Sequence, residues 1–165
     1  MLPLNRESID LPVESRQPAD AEAADGSCRV RPGVLVVDDE HLVRALVQLG
    51  LERHNFEVWS ASNGREAIDL YRKHSDQIAI VLLDVRMPGL DGVQTLDALR
   101  GVNPDVMVCF MTGHMGSYEP EELRRHGAAG VIAKPFHLDD LVRVMQLLVQ
   151  NVSADLLLSG EAYRR

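Results

Sequence analysis

Residues 78–84, Ile78-Ala79-Ile80-Val81-Leu82-Leu83-Asp84, decide the fold. An apolar run of this length has no polar face to turn to water, so it reads as a strand buried on both sides. It runs straight into a carboxylate. Upstream, Val34-Leu35-Val36-Val37 repeats the pattern and ends on Asp38 and Asp39. Downstream, Val106 to Met111 ends at Thr112, and Val131 to Ala133 leads into Lys134-Pro135. A further short strand is expected at Phe56 to Ser60.

Helical patterns fill the intervals. Leu42, Val43, Leu46, Leu49 and Leu51 mark a first helix that stops near His54 and Asn55. Asn63 to Glu66 has the form of a capping box, with Ala67, Ile68, Leu70 and Tyr71 continuing the helix. After the loop Met87-Pro88-Gly89, the residues Val93, Leu96 and Leu99 are helically spaced and end at Gly101. A short helix is expected from Pro120, a residue suited to the first turn, closed by Gly127. Leu138, Leu141, Val142, Met145, Leu148 and Val149 form the stripe of a last helix. Strands alternate with helices five times, and each return to a parallel strand needs a crossover. The expected fold class is therefore α/β, a doubly wound parallel sheet of five strands with helices on both faces.

Residues 33–150 carry this pattern. Residues 1–32 mix small, charged and turn-forming residues without apolar period and read as a flexible tail, and residues 151–165 as a C-terminal tail with one apolar patch, Leu156 to Leu158. The N-terminus has no secretory-signal pattern and no apolar run approaches a membrane span, so a cytoplasmic location is expected. The net charge of −8 argues against direct nucleic-acid binding, which needs clustered Lys and Arg. The two cysteines, Cys28 and Cys109, give neither a disulfide framework nor metal-ligand spacing, and Cys109 reads as a buried, inert thiol.

In an open doubly wound sheet, ligands bind beyond the carboxyl ends of the strands. Asp38-Asp39, Asp84, Thr112 and Lys134 each follow a strand, so all should meet in one cleft. Taken singly they are ordinary: a cap, a turn acid, a capping hydroxyl, a solvated lysine. Together they are a reaction centre. Three carboxylates at close range repel, and a hard divalent cation relieves the repulsion; an all-oxygen set favours Mg2+ over zinc. Asp84 is then placed to attack phosphorus as a carboxylate nucleophile. Lys134 and the metal offset the charge on the transferring oxygens, and Thr112 offers them a hydroxyl.

VLVVDDE, LLDVRMPGLDG, MTG and GAAGVIAKPF stand in an order and at intervals that resemble the receiver domain of two-component response regulators, from Gly33 to about Gln150. The resemblance implies the flavodoxin-like strand order 2-1-3-4-5. It also implies roles. Asp84 corresponds to the phosphoacceptor, Asp39 to the direct metal ligand, Asp38 to a ligand through water, and Arg86 to the residue whose backbone carbonyl completes the set. Thr112 corresponds to the switch hydroxyl and Lys134 to the phosphate-pairing lysine, with a cis Lys134–Pro135 bond. The implied partners are a sensor histidine kinase or histidine phosphotransfer protein and an output protein of unknown identity. The face around the last helix is a candidate homodimer surface.

Two departures stand out. Val131 occupies a position where the family commonly has Tyr or Phe, which calls for a different relay from Thr112. Gly116 and Pro120 disfavour a full fourth helix, so a looser loop is expected there, with Met115 and Tyr118 partly covering the site. The reading is a phosphoryl-accepting switch with a single receiver domain, not an enzyme beyond slow self-phosphorylation and self-dephosphorylation. Two alternatives are weaker. A receiver-like interaction module without phosphorylation has no reason to keep three repelling carboxylates together. A phosphohydrolase using Asp84 lacks a second acid where Arg86 stands.

Overall fold

The computed structural model describes residues 31–113 and 118–150. The tails outside that range, with Cys28 and the Leu156–Leu158 patch, lie outside the described residues, as does Met115. Five strands, β1 (Gly33–Val37), β2 (Glu57–Ala61), β3 (Ile78–Asp84), β4 (Val108–Thr112) and β5 (Gly130–Ala133), alternate with helices α1 (His41–Arg53), α2 (Gly64–His74), α3 (Gly92–Val102), α4 (Pro120–Arg125) and α5 (Leu138–Val149). All pairings are parallel, in the order β2-β1-β3-β4-β5.

Each strand splits its apolar residues between two cores, because successive side chains point to opposite faces. On β1, Leu35 and Val37 join the cluster under α2, α3 and α4, whereas Val34 and Val36 join the cluster under α1 and α5. On β3, Val81 and Leu83 face the first cluster and Ile80 and Leu82 the second. Ile78 breaks the alternation, since Gly33 pairs with Ile78 but Val34 with Ile80, leaving Ala79 as an extra, exposed residue. The bulge sets the phase of the rest of β3, and with it the direction of Asp84.

The helix termini follow the sequence with local changes. Asn63 caps α2 by accepting from the Glu66 amide at 3.0 Å, but the Glu66 carboxylate reaches past Asn63 to the amide and hydroxyl of Ser62, both at 2.7 Å. The full capping box lies instead at α3, where Asp91 and Gln94 exchange side-chain-to-amide bonds of 2.8 and 3.1 Å. Phe56 precedes β2 rather than opening it, yet is buried in the α1/α5 core. β4 begins at Val108, two residues later than its apolar run. Short α4 starts at Pro120 and closes on Gly127, whose φ of 82° suits glycine. Cys109 is fully buried, and burial pushes its thiol pKa up, as an inert core cysteine requires.

Gly92, at the start of α3, fits because it lacks a side chain. A Cβ there would fall 2.6 Å from the Asp84 carbonyl oxygen and 2.9 Å from Val85 Cα. The Gly92 amide donates to the Val85 carbonyl at 2.9 Å, so α3 is seated directly against the end of β3.

Candidate acidic phosphoryl site

Strand register brings the acids together. Val37 pairs with Leu83, so the next residues, Asp38 and Asp84, stand side by side at the carboxyl ends of adjacent strands. Both continue the face covered by α1 and α5. Lys134 follows β5 one residue beyond the Thr112–Ala133 pair, and its amide donates to the Thr112 carbonyl at 2.6 Å. From there its ammonium reaches across β4 to Asp38 Oδ2 at 2.6 Å and Asp84 Oδ1 at 3.2 Å. The Lys134–Pro135 bond is cis, as the resemblance implied.

Asp38 is fully buried, with Oδ1 accepting from the Glu40 amide at 2.8 Å; its own carbonyl accepts from Arg44 Nη1 at 2.6 Å. Asp39 is exposed at the rim. One oxygen from each of Asp38, Asp39 and Asp84 lies within 4.8 Å of the others. This all-oxygen, negatively charged donor set fits a hard divalent cation such as Mg2+, which takes carboxylates together with waters. Burial raises the pKa of Asp84; Lys134 opposes this and the charges of Asp38 and Asp39 reinforce it. For Lys134, burial disfavours the charge, but the carboxylates of Asp38 and Asp84 outweigh it and hold its pKa above the usual value. The cluster thus sets one ammonium, Lys134, among three carboxyl groups.

A cleft of about 540 Å³ opens over these groups, lined by Asp39, Glu40, Asp84, Arg86, Met87, Pro88, Asp91, Gly113 and Lys134. Thr112 is buried beside it, its hydroxyl donating a long 3.4 Å bond to the Gly113 carbonyl. Asp38, Asp39, Asp84, Arg86, Thr112 and Lys134 thus converge at one end of the sheet. Val131 is buried in the core under α2, α3 and α4.

Three features were not anticipated. The side chain of Arg86, whose backbone alone had been considered, lines the cleft and lies over Gly113. Asp91 lines it too while capping α3; the pattern Asp91-x-x-Gln94 was readable as a cap, but not its position beside Asp84. Tyr118 does not cover the site. Its hydroxyl instead meets Asp91 Oδ2 at 3.4 Å, because the ring packs on the core under α4.

Comparison with known proteins agrees with this geometry. Residues 34–146 match the family model described as the response regulator receiver domain. Sporulation initiation phosphotransferase F of Bacillus subtilis is 30% identical over 108 residues, covering 66% of this chain and 86% of that protein. Regulatory protein AtoC of Escherichia coli is 36% identical over 118 residues, 71% of this chain but 25% of its own length. Response regulator MprA of Mycolicibacterium vanbaalenii is 34% identical, covering 74% of this chain and 52% of its length. The chain thus spans only a quarter to a half of two of these relatives. Among solved structures, the Vibrio cholerae chemotaxis protein CheY4 superposes with a TM-score of 0.64 at 28% identity, covering 70% of this chain and 97% of that one. A receiver domain protein from Clostridium thermocellum gives 0.66 at 26% identity, covering 77% and 98%.

Proposed function

The chain belongs to the response regulator receiver domain family, and from that membership we propose that Asp84 is its phosphoacceptor, served by Asp38, Asp39, Thr112, Lys134 and the backbone carbonyl of Arg86. Receiver domains are the phosphorylation-activated switches of two-component signalling, not enzymes of the ordinary kind, and they generally bind Mg2+ at an acidic pocket. They exchange phosphoryl groups with histidine kinases or phosphotransfer proteins.

The observation that carries the reading is the single ammonium of Lys134 set between Asp38 and Asp84 with Asp39 beside them. An Asp84 carboxylate oxygen forms a bond to phosphorus as the bond from phosphorus to a donor imidazole nitrogen breaks; that nitrogen keeps the electron pair, and the ring, carrying a proton on its other nitrogen, leaves as neutral imidazole. Lys134 shifts toward the phosphoryl oxygens, and the Thr112 hydroxyl donates to one of them. Mg2+ held by the carboxylates and the Arg86 carbonyl would supply neutralisation of the remaining charge. Slow self-phosphorylation from small donors and slow hydrolysis of the acyl phosphate belong to the same reading. A donor protein reaching Asp84 must sit on the rim at Asp39 and Glu40. Helix α1 leaves that rim with Leu42, Leu46 and Leu49 exposed at 80, 54 and 49%, an apolar stripe for such a donor to cover.

The test is incubation of the full chain with acetyl phosphate and Mg2+, followed by intact mass and acid and base treatment. The expected product is one acid-stable, base-labile phosphoryl adduct, absent in Asp84→Asn. An unmodified wild-type chain, or an adduct that persists in Asp84→Asn, would sink the assignment.

A further inference from the structure

Asp39 stands at the rim of the cleft between two carbonyls that one residue holds. The Asp38 carbonyl accepts from Arg44 Nη1 at 2.6 Å, and the Glu40 carbonyl accepts from the Arg44 amide at 3.1 Å. Arg44 thus closes a loop of chain around Asp39, its backbone in the first turn of α1 and its guanidinium over the end of β1. The same segment is tied on its other side as well. The Asp38 amide donates to the Ala61 carbonyl of β2 at 3.2 Å, and the Glu40 amide donates to Asp38 Oδ1 at 2.8 Å.

Arg44 is half-buried, so its bond to Asp38 competes less with water than that of a surface arginine. An opposite charge on α2 steadies it too. The Glu66 carboxyl sits below its usual pKa chiefly through the bonds from the Ser62 amide and hydroxyl, and the Arg44 charge adds to them. A bond to a carbonyl fixes a peptide plane without occupying a carboxylate oxygen. Once that bond is lost, the Asp38–Asp39 plane is free to turn, and turning it swings the Asp39 side chain. At present one Asp39 oxygen lies within 4.8 Å of oxygens of Asp38 and Asp84. Mg2+ demands near-octahedral geometry at short range, so a swing of this kind costs affinity.

We propose that Arg44 is a positioning residue of the metal site: by holding the Asp38 carbonyl, it aims the Asp39 carboxylate at an ion bound among Asp38, Asp39 and Asp84. This rests on the reading of that cluster as an Mg2+ site. The charge of Arg44 works in the opposite direction, because a guanidinium near a divalent cation repels it. Charge alone therefore predicts tighter Mg2+ binding when Arg44 is replaced, and positioning predicts weaker binding.

The test is calorimetric titration of the full chain with MgCl2, for wild type, Arg44→Met and Arg44→Lys, at one pH and ionic strength. Arg44→Met keeps an unbranched apolar stem but neither charge nor donor, whereas Arg44→Lys keeps the charge and a donor. Arg44→Met is expected to bind Mg2+ about tenfold more weakly, and Arg44→Lys to return to within about threefold of wild type, as for outer partners of metal ligands. Urea denaturation in chelator checks that each variant is folded. Equal or tighter binding by Arg44→Met, or Arg44→Lys no better than Arg44→Met, would overturn the proposal. So would an Arg44→Met chain already unfolded in chelator, which would make the bond a support of the whole fold. A wild-type chain that binds no Mg2+ would instead remove the reading of the acidic cluster, and the role of Arg44 with it.

Discussion

The Lys134 ammonium lies 2.6 Å from Asp38 Oδ2 and joins the two ends of the domain across 96 residues of sequence. The carboxylate is fully buried and the lysine side chain 19% exposed, so the contact is shielded more than a surface ion pair. Lys134→Ala leaves Asp38 and Asp84 without their cation. Removing one partner of a fully buried pair costs about 3–5 kcal/mol. Because water reaches this lysine and a divalent cation substitutes for it, a loss of about 2 kcal/mol is expected without Mg2+ and less with it. Urea denaturation at both conditions measures the difference, and equal losses would contradict the role assigned to the lysine.

Burial raises the pKa of Asp84 above its unfolded value, despite Lys134. A carboxyl group shifted upward in the folded state stabilises the fold at low pH, and that stability disappears as pH rises through the folded pKa. Without divalent cation, wild-type stability should therefore fall as pH rises through the upper carboxylate range. Asp84→Asn should remove this dependence and raise the Tm at neutral pH by about 3–5 °C, what ~1 kcal/mol does in a domain of this size. Added Mg2+ should reverse the order. A Tm for Asp84→Asn below wild type in chelator would count against it.

The Arg86 side chain lines the cleft, but its assigned metal-binding atom is the backbone carbonyl, which any residue supplies. Arg86→Ala should leave Mg2+ affinity equal or slightly tighter, since a positive charge is lost beside the cation. Asp39→Asn should weaken it at least ~10-fold, by removing a charged oxygen ligand. Calorimetric titration of both variants decides. A large loss in Arg86→Ala would shift attention from the carbonyl to the guanidinium.

Leu46 sits mid-stripe on the outer face of α1, over half exposed. Leu46→Asp should be nearly neutral for folding, within about 0.5 kcal/mol, as surface changes usually are. Phosphoryl transfer from a protein donor should slow at least tenfold, about the 1.4 kcal/mol that a lost apolar contact supplies, while transfer from acetyl phosphate stays unchanged. Equal slowing with both donors would place the effect in the reaction centre.

The site was legible in the sequence because a parallel sheet puts every strand end on one side. Knowing that the apolar runs end at Val37, Leu83, Met111 and Ala133 was enough to gather Asp38, Asp84, Thr112 and Lys134. Side-chain direction was less legible. The bulge at Ala79 is invisible within an unbroken apolar run, although it sets which face Asp84 continues. The reach of Tyr118 to Asp91 depends on where α4 packs, which six residues of helix with one buried side chain, Leu123, do not announce. The Arg86 side chain, unlike its backbone carbonyl, was missed for a related reason: periodicity places a backbone, and a long flexible side chain is placed only by its surroundings.

The close seat of Gly92 against Asp84 makes the two sides of the cleft unequal in stiffness. On the α3 side, backbone touches backbone, with no side chain to act as a cushion. Toward α4, the Asp91 cap is met by the tip of Tyr118 in a long 3.4 Å contact. The α3 flank of Asp84 is therefore the stiffer one, since backbone packed on backbone has no rotamer through which to give.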